Sequence, residues 1–242
     1  MTQDKKELCF ICPSKGRLNE LEEHIESFIN HNSESSLYIV IDIDDKVYEK
    51  YYSDEVIQSY AKKNVYFIKN SINCDGAFMH IVNRYALEKS KEYELVGFLE
   101  DDVVIKSKDF DRSIVKYKDS HHVIYANDEL NTPGLVSYPV LSSFVIRALG
   151  YYSPPELKCV FVDYFWKMLG DRLQSIMYLP SVIMKHDHYS RADNNKVPDA
   201  ISQRILVLGQ QDCAQWKKYQ GKFIKEIDEV KIILGERREK IK

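Results

Sequence analysis

The first hundred residues alternate between two hydrophobic periods. Four short apolar runs, Leu8 to Cys12, Leu37 to Ile41, Val65 to Ile68 and Glu94 to Leu99, have the length and continuity of strands buried on both faces. Between them the apolar residues fall at helical spacing: Leu21, Ile25, Phe28 and Ile29, then Val56, Ile57, Tyr60 and Ala61, then Phe78, Ile81, Val82, Tyr85 and Ala86. Turn chemistry such as Asn73-Cys74-Asp75-Gly76 punctuates the change of period. Strand and helix alternating in this way predict an α/β fold with a parallel, doubly wound sheet. Ligands of such a sheet bind at the carboxyl ends of its strands.

The second half is less regular. A short helix is expected over Asp109 to Asp119, and a strand over His122 to Ala126 ending at Asn127-Asp128-Glu129. Leu135 to Gly150 starts extended and becomes a helix through Phe144, Ile146 and Leu149, closed by Gly150. Asp163 opens an aromatic helix, Tyr164-Phe165-Trp166, that is expected to end near Gly170. Ile176 to Leu179 and Ser181 to Met184 read as two apolar pieces broken by Pro180, leading to Lys185-His186-Asp187-His188 and a polar loop through Lys196. From Ala200 the chain is helical, with Phe223, Ile227, Val230, Leu234 and Ile241 at heptad-like intervals. Packing on the domain surface is the favoured reading of that stripe, and a coiled-coil dimer is the other.

Composition narrows the class. The chain has 242 residues, 44% hydrophobic and 29% charged, enough for one large core or two intimate ones. A formal net charge of -3 gives no global case for nucleic-acid binding. Scarce Gly and Pro argue against disorder. The five cysteines are odd in number and widely spaced, and Cys9 and Cys12 sit within an apolar run, so they read as reduced core residues rather than a zinc or redox pair. No stretch has the make-up of a signal peptide or a membrane span, and a cytoplasmic protein is expected.

The candidate chemistry lies where the predicted strands end. Val96-Gly97-Phe98-Leu99 runs into Glu100-Asp101-Asp102 and emerges as Val103-Val104-Ile105. Three consecutive carboxylates repel one another, and apolar flanks add a desolvation cost that a divalent cation relieves. The second strand also ends in acids, Asp42, Asp44 and Asp45, and the first in Pro13-Ser14-Lys15-Gly16-Arg17. That turn sets backbone N–H groups and two cations near a helix N-terminus, as a diphosphate needs, and it reads equally as an ordinary βα connection. In the predicted topology all three segments meet at one crevice.

These segments, with a late His186, resemble a GT-A-fold glycosyltransferase, in particular family-2-like enzymes of the small soluble type encoded by bacteriophages. Tyr125-Ala126-Asn127-Asp128, Ala148-Leu149-Gly150-Tyr151 and Val162-Asp163-Tyr164-Phe165-Trp166 carry the same likeness, which runs over about residues 8 to 200. The resemblance implies a Rossmann-like, mostly parallel sheet flanked by helices, with residues 1–105 as a nucleotide-sugar-binding half, 106–200 as an acceptor half and 201–242 as a helical extension. It implies that the triplet is a DxD-type motif in which Asp102 binds Mn²⁺ or Mg²⁺, with Glu100 and Asp101 assisting or contacting ribose. Asp42, Asp44 and Asp45 then face base and ribose, Pro13, Ser14, Lys15 and Arg17 face nucleoside or phosphates, and Gly76 starts a helix beside the donor. His186 is the second metal ligand, with His188 competing for the place. An inverting transfer also needs a carboxylate base. Asp163 is the first choice, with a helix N-cap as its other reading, and Asp128 the second.

The function expected is metal-dependent transfer of a sugar, from a UDP-linked donor first, to a hydroxyl acceptor. A hydroxymethylated base of phage DNA is one acceptor class, in a phage-infected bacterial cell; a glycan, lipid-linked sugar or protein is the other. A sugar-phosphate nucleotidyltransferase shares the layout but carries a longer Gly-rich loop than Pro13–Arg17. A non-catalytic binding module is the third class.

Overall fold

β1 (Lys6–Ser14), β2 (Ser36–Asp42), β3 (Val65–Asn70) and β4 (Tyr93–Phe98) form where the four apolar runs predict them. They belong to a computed structural model that describes residues 5–71, 77–188, 197 and 200–241. Every residue of β2 is buried, which is why its sequence does not alternate. α1 (Leu18–His31), α2 (Val47–Tyr51), α3 (Asp54–Ala61) and α4 (Phe78–Lys89) connect the strands. Only α2 is unforeseen, since five residues are too few to establish a period. β1 pairs in parallel with β2 and β4, and β2 with β3.

The rest of the chain adds β5 (Val103–Ile105), α5 (Phe110–Val115), β6 (Val123–Asn127), β7 (Val140–Ser142), α6 (Ser143–Leu149), α7 (Val162–Leu173), β8 (Ile176–His186) and α8 (Ala200–Ile241). The eight strands run in the order β3-β2-β1-β4-β7-β6-β8-β5. β7 is antiparallel to both β4 and β6, whereas β6 and β8 are parallel. The result is a mixed, mostly parallel sheet with helices on both faces and a long C-terminal helix, the GT-A layout.

Two expectations need correction. Pro180 does not divide its segment: β8 is one strand of 11 residues. Its pairing with β6 slips between Ala126↔Leu179 and Asn127↔Ile183, and Pro180 sits exposed in the slip, where no ladder N–H is required of it. Beyond the slip β8 turns to β5 and pairs His186 with Val103, antiparallel. The second correction is at α7, which continues past Gly170 to Leu173. A Cβ on Gly170 would lie 2.8 Å from Ile176, so this glycine admits a close strand rather than ending the helix.

Adjacent residues of β4 point to opposite faces and organise two aromatic clusters. Gly97 leaves room for Phe10, which packs with Phe28 and Phe110. On the other face Phe98 stacks on Phe78 and tilts against Trp166. α8 packs on this second side through Phe223, Ile227 and Val230, all buried, and is tied down by Tyr151 to Glu226 and Arg172 to Asp228. Three of the five heptad positions are therefore buried within the chain itself, as surface packing requires. Cys9 and Cys12 are buried, free thiols of β1. Among the described residues no helix is long and apolar enough to cross a membrane.

Candidate active site

The three strand ends do meet. Ser14 donates to Asp101 Oδ2 at 2.7 Å, and Arg17 Nη1 lies 3.2 Å from Asp101 Oδ1 and 3.5 Å from Asp102 Oδ2. Lys15 bridges Asp42 at 3.1 Å and Asp44 at 3.2 Å, while Asn70 donates to the other oxygen of Asp42 at 2.6 Å. Gly16 adopts φ +69°, which favours glycine, and its N–H donates to Asp45 at 2.6 Å. The cations of the first turn thus knit the acidic segments together along one wall. A cleft of about 590 Å³, open to solvent, lies against Pro13, Ser14, Lys15, Arg17, Asp42, Glu100 and Asp101. Phe78 and Ile205 supply apolar surface to it. Gly76 lies outside the described residues.

The acidic triplet is a tight turn, closed by the Val103 N–H on the Glu100 carbonyl at 3.2 Å. It sends Asp101 towards Ser14 and Arg17, and it brings Glu100 and Asp102 to His186. There, His186 Nε2 stands 3.5 Å from Asp102 Oδ1 and 3.6 Å from Glu100 Oε2. Asp102 Oδ1 and both ring nitrogens of His186 are buried without a hydrogen-bond partner. Ligand atoms of Glu100, Asp102 and His186 all lie within 4.8 Å of one another. Atoms about 2.1 Å from a shared Mg²⁺-sized ion are separated by about 3.0 Å when cis and about 4.2 Å when trans, so 3.5 to 3.6 Å suits a divalent cation. Oxygen and imidazole donors also suit Mn²⁺ or Mg²⁺. His188 lies outside this triad, its ring 5.0 Å from that of His186.

Electrostatics divide the triplet. Burial pushes Glu100 and Asp101 up, and Asp102 adds to this against relief from Arg17. Burial acts on Asp102 too, but His186 and Arg17 outweigh it and hold this carboxyl below the usual range. Asp102 is the member held ionised.

Glu100 and His186 also border a second pocket of about 360 Å³, open to solvent, which shares Phe78 and Glu100 with the first. Tyr138, Cys159, Asp163 and His186 line it. Asp163 is the second residue of α7; Phe161 occupies the N-cap position, so Asp163 does not cap the helix. Its carboxyl is pushed up to about 7, by burial first and by Asp128 in addition, against the pull of His186. Asp128 sits in a different setting. Its Oδ1 accepts from the N–H groups of Leu130, Asn131 and Thr132 at 2.9 to 3.0 Å, fixing the turn after β6. Burial pushes Asp128 up, but these N–H groups outweigh it and leave the carboxyl below its usual range. A carboxylate so stabilised is a weak base.

Tyr138 escaped the sequence reading. It is buried with φ +49°, its hydroxyl donates to Glu100 Oε2 at 3.4 Å, and its ring meets His186 edge-on at 5.2 Å. Nothing in an extended apolar stretch marks such a residue. The closure of the first cleft by α8 was equally silent: Arg17 Nη2 donates to Ser202 Oγ at 3.2 Å, and Ile205 faces the cleft. Of Tyr164, Phe165 and Trp166, the last two are core, and Tyr164 is half exposed.

No protein-family model and no curated protein sequence matches the chain. Solved structures do. TarS 1–349 from S. aureus, in complex with UDP, superimposes with a TM-score of 0.56 at 14% identity, covering 91% of this chain and 70% of that one. The mannosyltransferase PcManGT from Pyrobaculum calidifontis, in complex with GDP-Man and Mn²⁺, gives 0.58 at 9% identity, covering 91% and 76%. At such identities the likeness establishes the fold: a GT-A architecture shared with glycosyltransferases.

Proposed function

We propose that this chain is a metal-dependent glycosyltransferase that moves a sugar from a nucleotide-linked donor, UDP-linked first, to a hydroxyl acceptor. The observation that carries the reading is the Glu100–Asp102–His186 triad, in which Asp102 Oδ1 and the His186 ring nitrogens are buried without a partner and Glu100 lines both cavities. The donor's nucleoside lies along the Ser14–Arg17 and Asp42–Asp45 wall, and residues 1–105 form the donor half. Asp102 and His186 hold Mn²⁺ or Mg²⁺, with Glu100 as the further ligand from the turn. Held by these residues, Mn²⁺ or Mg²⁺ would supply positive charge to offset that of the donor diphosphate. Arg17 keeps Asp101 and Asp102 in place. The acceptor enters the second cavity, in the half spanning 106–200, where Asp163 takes the proton from its hydroxyl. With a carboxyl near 7 this group is both ionised and basic at neutral pH. Asp128 shapes the turn beside it. The segment 201–242 is a helical extension that closes the donor cleft through Ser202 and Ile205.

Calorimetric titration of UDP-glucose and GDP-mannose, with Mn²⁺ and with chelator, tests this reading. Mn²⁺-dependent binding and slow release of nucleotide are expected, with both lost in Asp102→Ala. Binding indifferent to metal and to that substitution would overturn the enzyme reading. Acceptors are then separated by offering plain DNA, hydroxymethylated DNA and free glycans.

A further inference from the structure

We infer that Asp212 of α8 is a positioning residue: it clasps the chain at 158–160 and thereby fixes the cavity wall that carries Asp163. This rests on the proposed acceptor role of that cavity. Asp212 has no exposed surface. Its Oδ1 accepts from Lys158 N at 3.0 Å, and its Oδ2 from Lys158 N at 3.1 Å, Cys159 N at 2.9 Å and Val160 N at 2.9 Å. The Cys159 thiol adds a weaker contact at 3.6 Å. Three successive N–H groups thus converge on one carboxylate.

A buried carboxylate is a poor choice merely for holding a helix down, since an apolar residue of similar size packs there without the desolvation cost. α8 already has such residues in Phe223, Ile227 and Val230. What an acid adds is one fixed conformation for the loop. That loop leads directly into the site. The Lys158 carbonyl accepts from Met79 N, at the start of the helix whose Phe78 lines both cavities. Cys159 lines the second cavity, Phe161 turns the chain through φ +63°, and Asp163 follows. Ten residues back along α8, Ser202 receives Arg17, which grips Asp101 and Asp102. One helix, with about 15 Å between these two positions, therefore touches the holder of the metal turn and the carrier of Asp163.

The fold supplies its own control. Asp111 of α5 is equally buried, and its carboxylate accepts from the N–H groups of Ser33, Glu34 and Ser35 at 2.7 to 3.1 Å. That loop precedes β2, at the amino ends of the strands and away from both cavities.

The test compares Asp212→Asn with Asp111→Asn in the full chain. UDP affinity with Mn²⁺ is measured by calorimetry, UDP-glucose hydrolysis with Mn²⁺ by UDP release, and backbone exposure by hydrogen exchange over 158–163. Both variants are expected to lower Tm. Asp212→Asn alone should raise exchange at 158–163 and lower hydrolytic kcat by about tenfold or more, with UDP affinity within about twofold of wild type. If Asp212→Asn does not fold, Asp212→Glu keeps the charge, displaces the loop by one methylene and should show the same split. Unchanged exchange at 158–163 would overturn the inference, as would a fall in kcat no larger than that of Asp111→Asn. A wild type that binds no UDP with Mn²⁺ defeats the proposed function instead, and exchange at 158–163 then decides the clasp by itself.

Discussion

Asp163 carries a carboxyl pushed from about 3.8 up to about 7, mainly by burial. The sign of the consequence follows from linkage. Below about pH 4 the group is protonated folded and unfolded, so it has no effect on stability. Between pH 4 and 7 the unfolded chain ionises while the folded one resists, and the folded state loses ground until about pH 7, beyond which the penalty is constant. The distance from about 3.8 to about 7, at about 1.4 kcal/mol per tenfold in proton affinity, sets a ceiling of about 4 kcal/mol. The side chain is only partly enclosed, so roughly half of that is the expected effect. Asp163→Asn removes the ionisation and should therefore gain stability over wild type as pH rises, by about 1–2 kcal/mol between pH 5 and pH 8. Urea unfolding with chelator present measures it, because a cation in the triad would offset the same charges. Turnover should move the other way, down by about 10²–10⁴-fold with donor affinity kept. Wild-type turnover should climb with pH and level off above about 7. A stability difference flat from pH 5 to pH 8 would refute burial as the cause. Full turnover in Asp163→Asn would refute the base.

The two histidines should separate cleanly. His186→Ala is expected to weaken Mn²⁺ binding by about tenfold or more and His188→Ala by less than about threefold, read by electron paramagnetic resonance titration; equal losses would remove the distinction drawn from the triad. In the core, Gly97→Ala places a Cβ 2.4 Å from Phe10 Cδ1 and should destabilise by about 1–3 kcal/mol in urea unfolding, whereas a neutral result would show that the Phe10–Phe28–Phe110 cluster yields.

The parallel half was legible because burial on both faces writes itself as uninterrupted apolar runs, and the helices between them carry a different period. β8 was not, because the reading treats proline as a break, while in the sheet Pro180 occupies a slip in register that a one-dimensional pattern does not contain. The meeting of the segments after β1, β2 and β4 was readable for a similar reason: a parallel sheet brings strand ends to one edge whatever the details. Tyr138 and Asp212 were illegible on different grounds. A left-handed backbone at a tyrosine has no local signature, and an acid on a charged helix looks solvated until the loop that wraps it is known.

The slip at Pro180 also explains how a residue so late in the chain reaches the acidic turn. Before it, β8 follows β6; after it, β8 pairs with β5, the strand that leaves the triplet. The pairing of His186 with Val103 sets the imidazole one residue from Asp102, and two backbone bonds lock it there: His186 N to Asp128 O at 3.0 Å and Asp187 N to Asp102 O at 2.9 Å. The turn after β6 and the triplet are thus joined by the same two residues. This gives Asp128 a reason to be acidic that does not require it to exchange protons. Its carboxylate fixes the turn whose backbone carbonyl receives His186. A second buried base candidate beside Asp163 is then better understood as part of the frame that aims the imidazole at Asp102.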